Sequence, residues 1–470
     1  MKRDYQDLVA PLDDVAAALD YRPPERVFPP LDDVGAMDAA QDLPAPMAPP
    51  VMSMDSFPPL VWDVVDAATR ASEAHPVAVA VHFISLFCCA IGRNAFQHIG
   101  DATVHARPFF LVVGKSGKAR KGTSEVTARE VARLADALLR KRNGSTDRLR
   151  IHDGGLSSGE GVAWAIRDPR APDDNGKGAD PGVRDKRLMV IESEFANLLA
   201  QTKREGNTLS AIVRNLFDGR TLEPMTKTNQ VTASDPHVVV TGHITMHELR
   251  EKSTENDAAN GLLNRFLAVH VYRPKLVALP RKTDPAVMEA LAARMADAID
   301  FATRGDPHGR NTLEVSLSAA ASECWCELYP EISRDREGVT GSLMARSEVY
   351  ARILAMVFAL LDRRSTIEPG DILMAAQWVD YWRQSIDYIW RAGDEADDLD
   401  DFTKAVLRKV MEHPGIKLAD IQEHWKRKRT AEVNASLETL ANLAPPLVEM
   451  RRDASGGGRP AHRYNPVGGQ

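Results

Sequence analysis

The chain has 470 residues and a mass of 51.6 kDa, more than one hydrophobic core usually serves, so about three folding units are expected. Hydrophobic residues at 44% and charged residues at 27% are ordinary for a soluble globular chain, and a formal net charge of -7 argues against a uniformly basic nucleic-acid binder while leaving local patches open. Cys88, Cys89, Cys324 and Cys326 form no CxxC pair, so neither a disulfide framework nor a zinc site is supported; there is no signal pattern, and the most apolar run, Val77 to Ile91, is shorter than the ~20 residues that span a bilayer, so a cytoplasmic protein without membrane contact is expected.

In chain order, residues 1–55 are rich in Pro, Asp and Ala and bury too little to fold alone. Residues 56–106 read as a helical collar, from Leu60, Val64 and Ala67 into the apolar Val77 to Ile91. Residues 107–280 hold four short apolar runs, at Phe109–Val113, Leu188–Ile191, His237–Thr241 and Phe266–Val271. Continuous apolarity predicts strands buried on both faces, hence a three-layer α/β core with a mostly parallel sheet. Residues 281–393 turn helical again, as a lid, and 394–401 are an acidic linker. Residues 402–470 run helix, helix, helix, strand, strand around Gly456-Gly457-Gly458, the order of a winged helix.

Directly after the first run comes Gly114-Lys-Ser-Gly117-Lys118-Ala-Arg120-Lys121-Gly122-Thr123-Ser124, followed by an amphipathic helix with Val131, Leu134 and Leu138 on one face. Strand, glycine-rich turn and helix is the context of a phosphate loop, in which successive backbone N–H groups cradle phosphate oxygens, a lysine neutralises the terminal phosphates and a hydroxyl at the helix start binds magnesium. With Gly117 and Gly122 as the loop glycines, Thr123 stands where lysine is usual and Ser124 at the magnesium hydroxyl, so Lys121 or Lys118 must supply the charge. ATP and Mg2+ are the expected ligands, and a P-loop core of the RecA/AAA kind is the expected fold.

The second run ends in Glu192-Ser193-Glu194, two carboxylates at the C-terminal edge of the sheet, where ligands of open α/β sheets bind. Glu192 is assigned to the metal and Glu194 to the attacking water, with the reverse open. The third run ends at Thr241-Gly242-His243, a polar exit suited to sensing a terminal phosphate, although His243 and His247 are equally readable as ordinary loop and helix residues. Leu222 to Ala233 reads as a hairpin in which Lys227 is either a candidate DNA contact or part of an ordinary surface turn, and Arg265, just before the fourth run, is either a candidate for neutralising a neighbouring subunit's phosphates or a structural salt-bridge residue, with Arg273 in reserve.

From Phe402 to Val467, twelve Lys/Arg oppose seven Asp/Glu, a surplus of five in an acidic protein. Lys426, Arg427, Lys428 and Arg429 precede the third helix, and Arg451 and Arg452 flank the expected wing. Phosphate attraction to single- or double-stranded DNA is one reading and a protein contact the other.

Together, Gly114 to Ser124, Gly155-Leu-Ser-Ser-Gly-Glu160-Gly161, Glu192-Ser-Glu194-Phe195, Leu216-Phe-Asp218-Gly219, Thr241-Gly-His-Ile-Thr245 and Asn260-Gly261 with Asn264-Arg265-Phe266 resemble a family of phage, prophage and plasmid ATPases, long labelled a domain of unknown function. Its members are often joined to primase-polymerase modules and regarded as replicative-helicase-like. The resemblance covers about Phe57 to Trp390. It implies a ring-forming motor, a hexamer by preference, in mobile-element DNA replication. The first 55 residues carry no primase domain, so priming is expected from a separate primase or primase-polymerase. The alternative is an ATP-regulated replication initiator or DNA-binding regulator without translocation.

Overall fold

The computed structural model describes residues 49–115, 121–172, 178–204, 206–223, 231–253, 261–391, 399, 401–425, 429–442, 448–453 and 461–466. Two segments pair early in the chain, β1 (Ala95–Ile99) and β2 (Ala102–His105), antiparallel around Gly100-Asp101. This hairpin lies in the stretch expected to be helical collar. The remaining strands that matter here are β3 (Phe110–Val113), β4 (Ile151–Asp153), β5 (Arg187–Glu192), β6 (His237–Ile244) and β7 (Leu267–His270). They form one sheet in the order β4-β5-β6-β3-β7, and every pair is parallel.

The mixed α/β architecture with a parallel sheet agrees with the apolar runs. β3, β5, β6 and β7 are buried along their whole length, as strands covered on both faces must be. The sheet holds one strand more than the runs predict, because β4 is a three-residue edge strand with no buried residue. Two opposed contacts in β6 identify the covering layers. Thr241 faces the helix Pro76–Ile91, where its hydroxyl donates to Ser85 Oγ at 2.9 Å. Gly242 faces the helix Phe195–Thr202, and a Cβ there would meet the Phe195 ring at 2.4 Å, so only glycine lets that helix approach.

On the Thr241 side, the helices Lys121–Asn143 and Pro285–Thr303 pack outside Pro76–Ile91. The latter helix is apolar on every side and buried from Val77 to Ile91, the behaviour of a core helix. On the opposite side lies Leu209–Asp218, while the long helix Pro369–Arg391, whose Trp378 and Trp382 are fully buried, runs along the open edge of β7, where Ser385 Oγ accepts the His270 N–H at 3.0 Å and the Tyr381 hydroxyl donates to the His270 carbonyl at 2.6 Å. One hydrophobic cluster runs continuously from Met52 to Ile389, so the expected collar, core and lid share a single interior. No helix among the described residues is long and apolar enough to cross a membrane.

The C-terminal module has its own small core of Leu399, Val406, Val410, Ile421, Val433, Leu437, Leu440 and Val448. Its helices are Asp401–Glu412, Leu418–His424 and Thr430–Asn442. Strands Ile416–Lys417, Val448–Asp453 and Ala461–Pro466 form an antiparallel sheet with the last strand in the middle. The two-residue strand between the first and second helices is the one element that the sequence pattern does not indicate.

Candidate functional site

The C-terminal edge of the sheet gathers Gly122, Thr123, Ser124, Glu192 and Glu194. β3 ends at Val113, and the Gly114 N–H donates to the Ile244 carbonyl at 3.1 Å, which ties the start of the glycine-rich run to the end of β6. Gly117, Lys118 and Arg120 lie outside the described residues, as does the side chain of Lys121. The helix begins at Lys121, so Gly122 and Thr123 belong to its first turn rather than to the loop. Gly122 is exposed and a Cβ there would meet nothing within 4 Å; its neighbourhood places no steric demand for glycine. Ser124 is fully buried in that turn, and its Oγ accepts the His75 N–H at 3.3 Å. This helix starts after β3, at the C-terminal edge of the sheet, and a helix start is where backbone N–H groups can receive an anion.

β5 delivers Glu192 to the same edge, buried, with Oε2 accepting the Leu156 N–H at 3.1 Å and Oε1 the Glu194 N–H at 3.4 Å. Gly154 makes this possible. Its φ of +69° suits glycine, and a Cβ would stand 3.3 Å from Glu192 Oε1. Glu194 is exposed at the start of the helix Phe195–Thr202 and accepts a hydrogen bond from Asn197 Nδ2 at 2.6 Å. Glu192, Glu194, Asp153 and Gln201 border a cleft of about 340 Å3. Backbone N–H groups and one amide hold the two glutamates, and neither has a cationic partner among the described residues. A pair of carboxylates fixed in place and short of positive charge fits a cation brought in with a ligand.

Arg129 joins this edge to the loop-bearing helix. It donates to Glu125 at 2.7 Å and to Asp153 at 2.5 Å, clamping the first turns of the helix against the end of β4. Burial pushes the Glu125 carboxyl up, and Arg129 opposes that shift. Sequence reasoning did not single out Glu125, Arg129 or Asp153, whose shared position depends on β4.

Two of the expected contacts stand elsewhere. Thr241 is not at a strand exit: β6 continues to Ile244, Thr241 pairs with Phe110 at the entrance of β3, and its hydroxyl is spent on Ser85. His243 is nearer the edge but buried, its Nε2 3.1 Å from His82 Nε2. One ring nitrogen of each histidine and a Glu125 carboxylate oxygen lie within 4.8 Å of one another, a set of three possible metal ligands. Proton accounting favours a hydrogen-bonded histidine pair instead. Binding a cation through Nε2 would force a proton onto His82 Nδ1, which is buried without an acceptor, whereas ligating histidines nearly always donate that proton. Burial and the neighbouring His243 hold the His82 imidazole well below its usual pKa, which keeps His82 neutral.

Arg265 is the plainest correction. It precedes Leu267, which pairs with Phe110, so it stands at the N-terminal edge of the sheet, opposite Glu192 and Ser124. It is only 9% exposed, with Nη2 donating to Asp218 at 2.9 Å and Nη1 to the Gly261 carbonyl at 2.5 Å. An arginine committed in this way holds its own fold together and is not presented to a neighbour. The reserve, Arg273, lies 3.8 Å from Glu73.

The tip of the expected hairpin, with Lys227, lies outside the described residues, but its base is formed: Leu222 and Ala233 exchange both backbone hydrogen bonds. Lys426, Arg427 and Lys428 also lie outside them. Arg429 stands 4.9 Å over the Phe402 ring and 3.7 Å from Glu432. Arg451 and Arg452 are both exposed, but adjacent strand residues point to opposite faces, so they do not form one patch. No protein-family model matches the chain, and no curated protein matches it either.

Proposed function

We propose that this chain is a magnesium-dependent P-loop ATPase that moves on single-stranded DNA as a helicase or translocase of a mobile genetic element. The observation that carries the ATPase reading is the strand order. With β6 between β3 and β5, the start of the glycine-rich run after β3 and the carboxylates at the end of β5 flank one strand at the same edge, an arrangement that supports a phosphate site between them. Lys121 or Lys118 and the N–H groups of the first helical turn would receive the phosphates, Ser124 and Glu192 would hold Mg2+, and Glu194 would orient or deprotonate water. The bound cation would supply charge neutralisation at the phosphates.

Helicase activity, a mobile-element setting and a hexameric ring rest on the family resemblance, since Arg265 no longer argues for a shared interface. The C-terminal module, read as a winged helix from its element order and its central last strand, is the proposed duplex contact. The second reading, an initiator or regulator without translocation, draws support from the third helix of that module, whose exposed face carries Glu432 and Glu438 and no cation. ATP hydrolysis measured with and without single-stranded DNA tests the first reading. Stimulation by DNA, with directional strand displacement, is the expected result. DNA-independent turnover without displacement would favour the second, and no hydrolysis under either condition would overturn both.

A further inference from the structure

The register of the C-terminal sheet assembles a charge pattern that no stretch of sequence displays. Lys417 is the cross-strand partner of Arg463, and Arg463 is in turn the partner of Arg451. Cross-strand partners project from one face, and neighbouring strands are about 4.8 Å apart, so the three cations stand in a row roughly 10 Å long. The other face is the one turned to the core, through Ile416, Tyr464 and Val448. The row is therefore on the outer face of the sheet.

Like charges placed directly opposite one another destabilise a sheet. Two contacts among the described residues bear on this charge. Arg451 pairs with Glu449 at 2.7 Å along its own strand, and Arg463 Nη1 donates to the Gly415 carbonyl at 3.0 Å. Lys409, His413 and His424 join Lys417 and Arg463 around one shallow depression of about 460 Å3, in which Asp420 is the acidic residue. The third helix, Thr430–Asn442, shows the reverse. Its exposed positions include Glu432, Asn434, Glu438 and Thr439, and it contains no Lys or Arg. Phosphates laid along that helix would meet two carboxylates, and phosphates laid along the sheet would meet three cations.

We infer that the outer face of this sheet, through Lys417, Arg463 and Arg451, docks the phosphate backbone of duplex DNA, and that the third helix does not enter the groove. The inference rests on the DNA reading above and reassigns the surface that performs it. Contacts of an ammonium and two guanidinium groups with phosphate are indifferent to base sequence and sensitive to salt.

The test uses the full chain and a short mixed-sequence duplex, with affinity measured by fluorescence anisotropy over a range of salt. Replacing Lys417, Arg463 and Arg451 together by Gln should weaken binding more than tenfold at low salt. It should also reduce the slope of log K against log salt by about 2.7, or 0.9 per lost phosphate contact. A variant carrying Glu432→Gln and Glu438→Gln should keep the wild-type slope. Should the triple variant fail to fold, Lys417→Gln alone, an exposed change on an edge strand, should reduce the slope by about 0.9. A folded variant that binds duplex like wild type overturns the assignment of the face and leaves the DNA reading standing. A wild-type chain that binds no duplex at low salt overturns the DNA reading itself.

Discussion

Arg265 Nη2 lies 2.9 Å from Asp218 Oδ2, and this pair belongs to the floor of the sheet, at the edge away from the candidate site. Arg346 Nη1 is 3.7 Å from the other Asp218 oxygen, and the Tyr350 hydroxyl lies 2.7 Å from both the Arg265 and Phe109 carbonyls. Four segments distant in sequence thus meet around one carboxylate and one phenol.

Arg265→Ala should accordingly destabilise the chain. Removing one partner of a buried pair costs about 3–5 kcal/mol, and the residual pairing with Arg346 should bring the loss toward the lower end. Chemical denaturation checks this, and Arg346→Ala should lose less because its guanidinium is farther from Asp218. If Arg265→Ala left stability unchanged but abolished ATP hydrolysis, the guanidinium would have to act on a nucleotide after all, and a shared subunit interface would regain its support.

Glu194→Gln should leave nucleotide bound and hydrolysis slowed by about 10²–10⁴, the range for removing a general base. Glu192→Gln should instead weaken magnesium-nucleotide binding, because an amide accepts the Leu156 N–H but brings no charge to the cation. Binding of a fluorescent nucleotide measured beside turnover separates the two. If the two variants exchange these phenotypes, the roles of the carboxylates are reversed.

Much of the site is legible along the chain because its parts are local: a strand, a glycine-rich run and a helix follow one another from Phe110 to Asn143, and Glu192-Ser193-Glu194 directly closes an apolar run. What depends on pairing is not. β4 has one half-buried and two exposed residues and no apolar signature, yet it brings Asp153 to Arg129. The partner of Arg265 lies 47 positions away, a separation that no motif spacing carries. The polar text of Thr241-Gly242-His243 resembles a strand exit but is interior, because Ser85 and His82 on a buried helix answer its two polar side chains. The hairpin Ala95–His105 did leave a signal, a two-residue Gly100-Asp101 turn, that the surrounding helical pattern outweighs.

Stability should fall on mild acidification. Burial holds His270 down to about 4 and His105 to about 3, and it keeps His237 well below 6.5. All three are neutral in the folded chain where the unfolded chain is already protonated. A group whose folded pKa is depressed contributes stability that is present above its unfolded pKa and lost as pH falls, here from about 6.5 toward 4. Each histidine contributes a slope of up to about 1.4 kcal/mol per pH unit in that window. Urea melts between neutral pH and pH 4.5 check the sign, and a flat profile would mean that these rings find water or protonate in place. His270→Gln should remove part of the slope.

The last prediction concerns the separation of the two cores. The C-terminal module folds around residues from Leu399 to Val448, while the main cluster closes at Ile389, and Trp390 packs against that main cluster. A chain ending at Asp400 should therefore keep the buried strands, Ser124, Glu192 and Glu194 intact. Basal ATP hydrolysis and the thermal transition of the main body should survive, whereas duplex affinity and its dependence on salt should fall together, because phosphate contacts are the salt-sensitive part of binding. Loss of hydrolysis on truncation, with the main body still folded, would mean that the module completes the catalytic edge. Undiminished duplex binding would move the DNA contact to the main body, where the basic residue Lys227 is the next to replace.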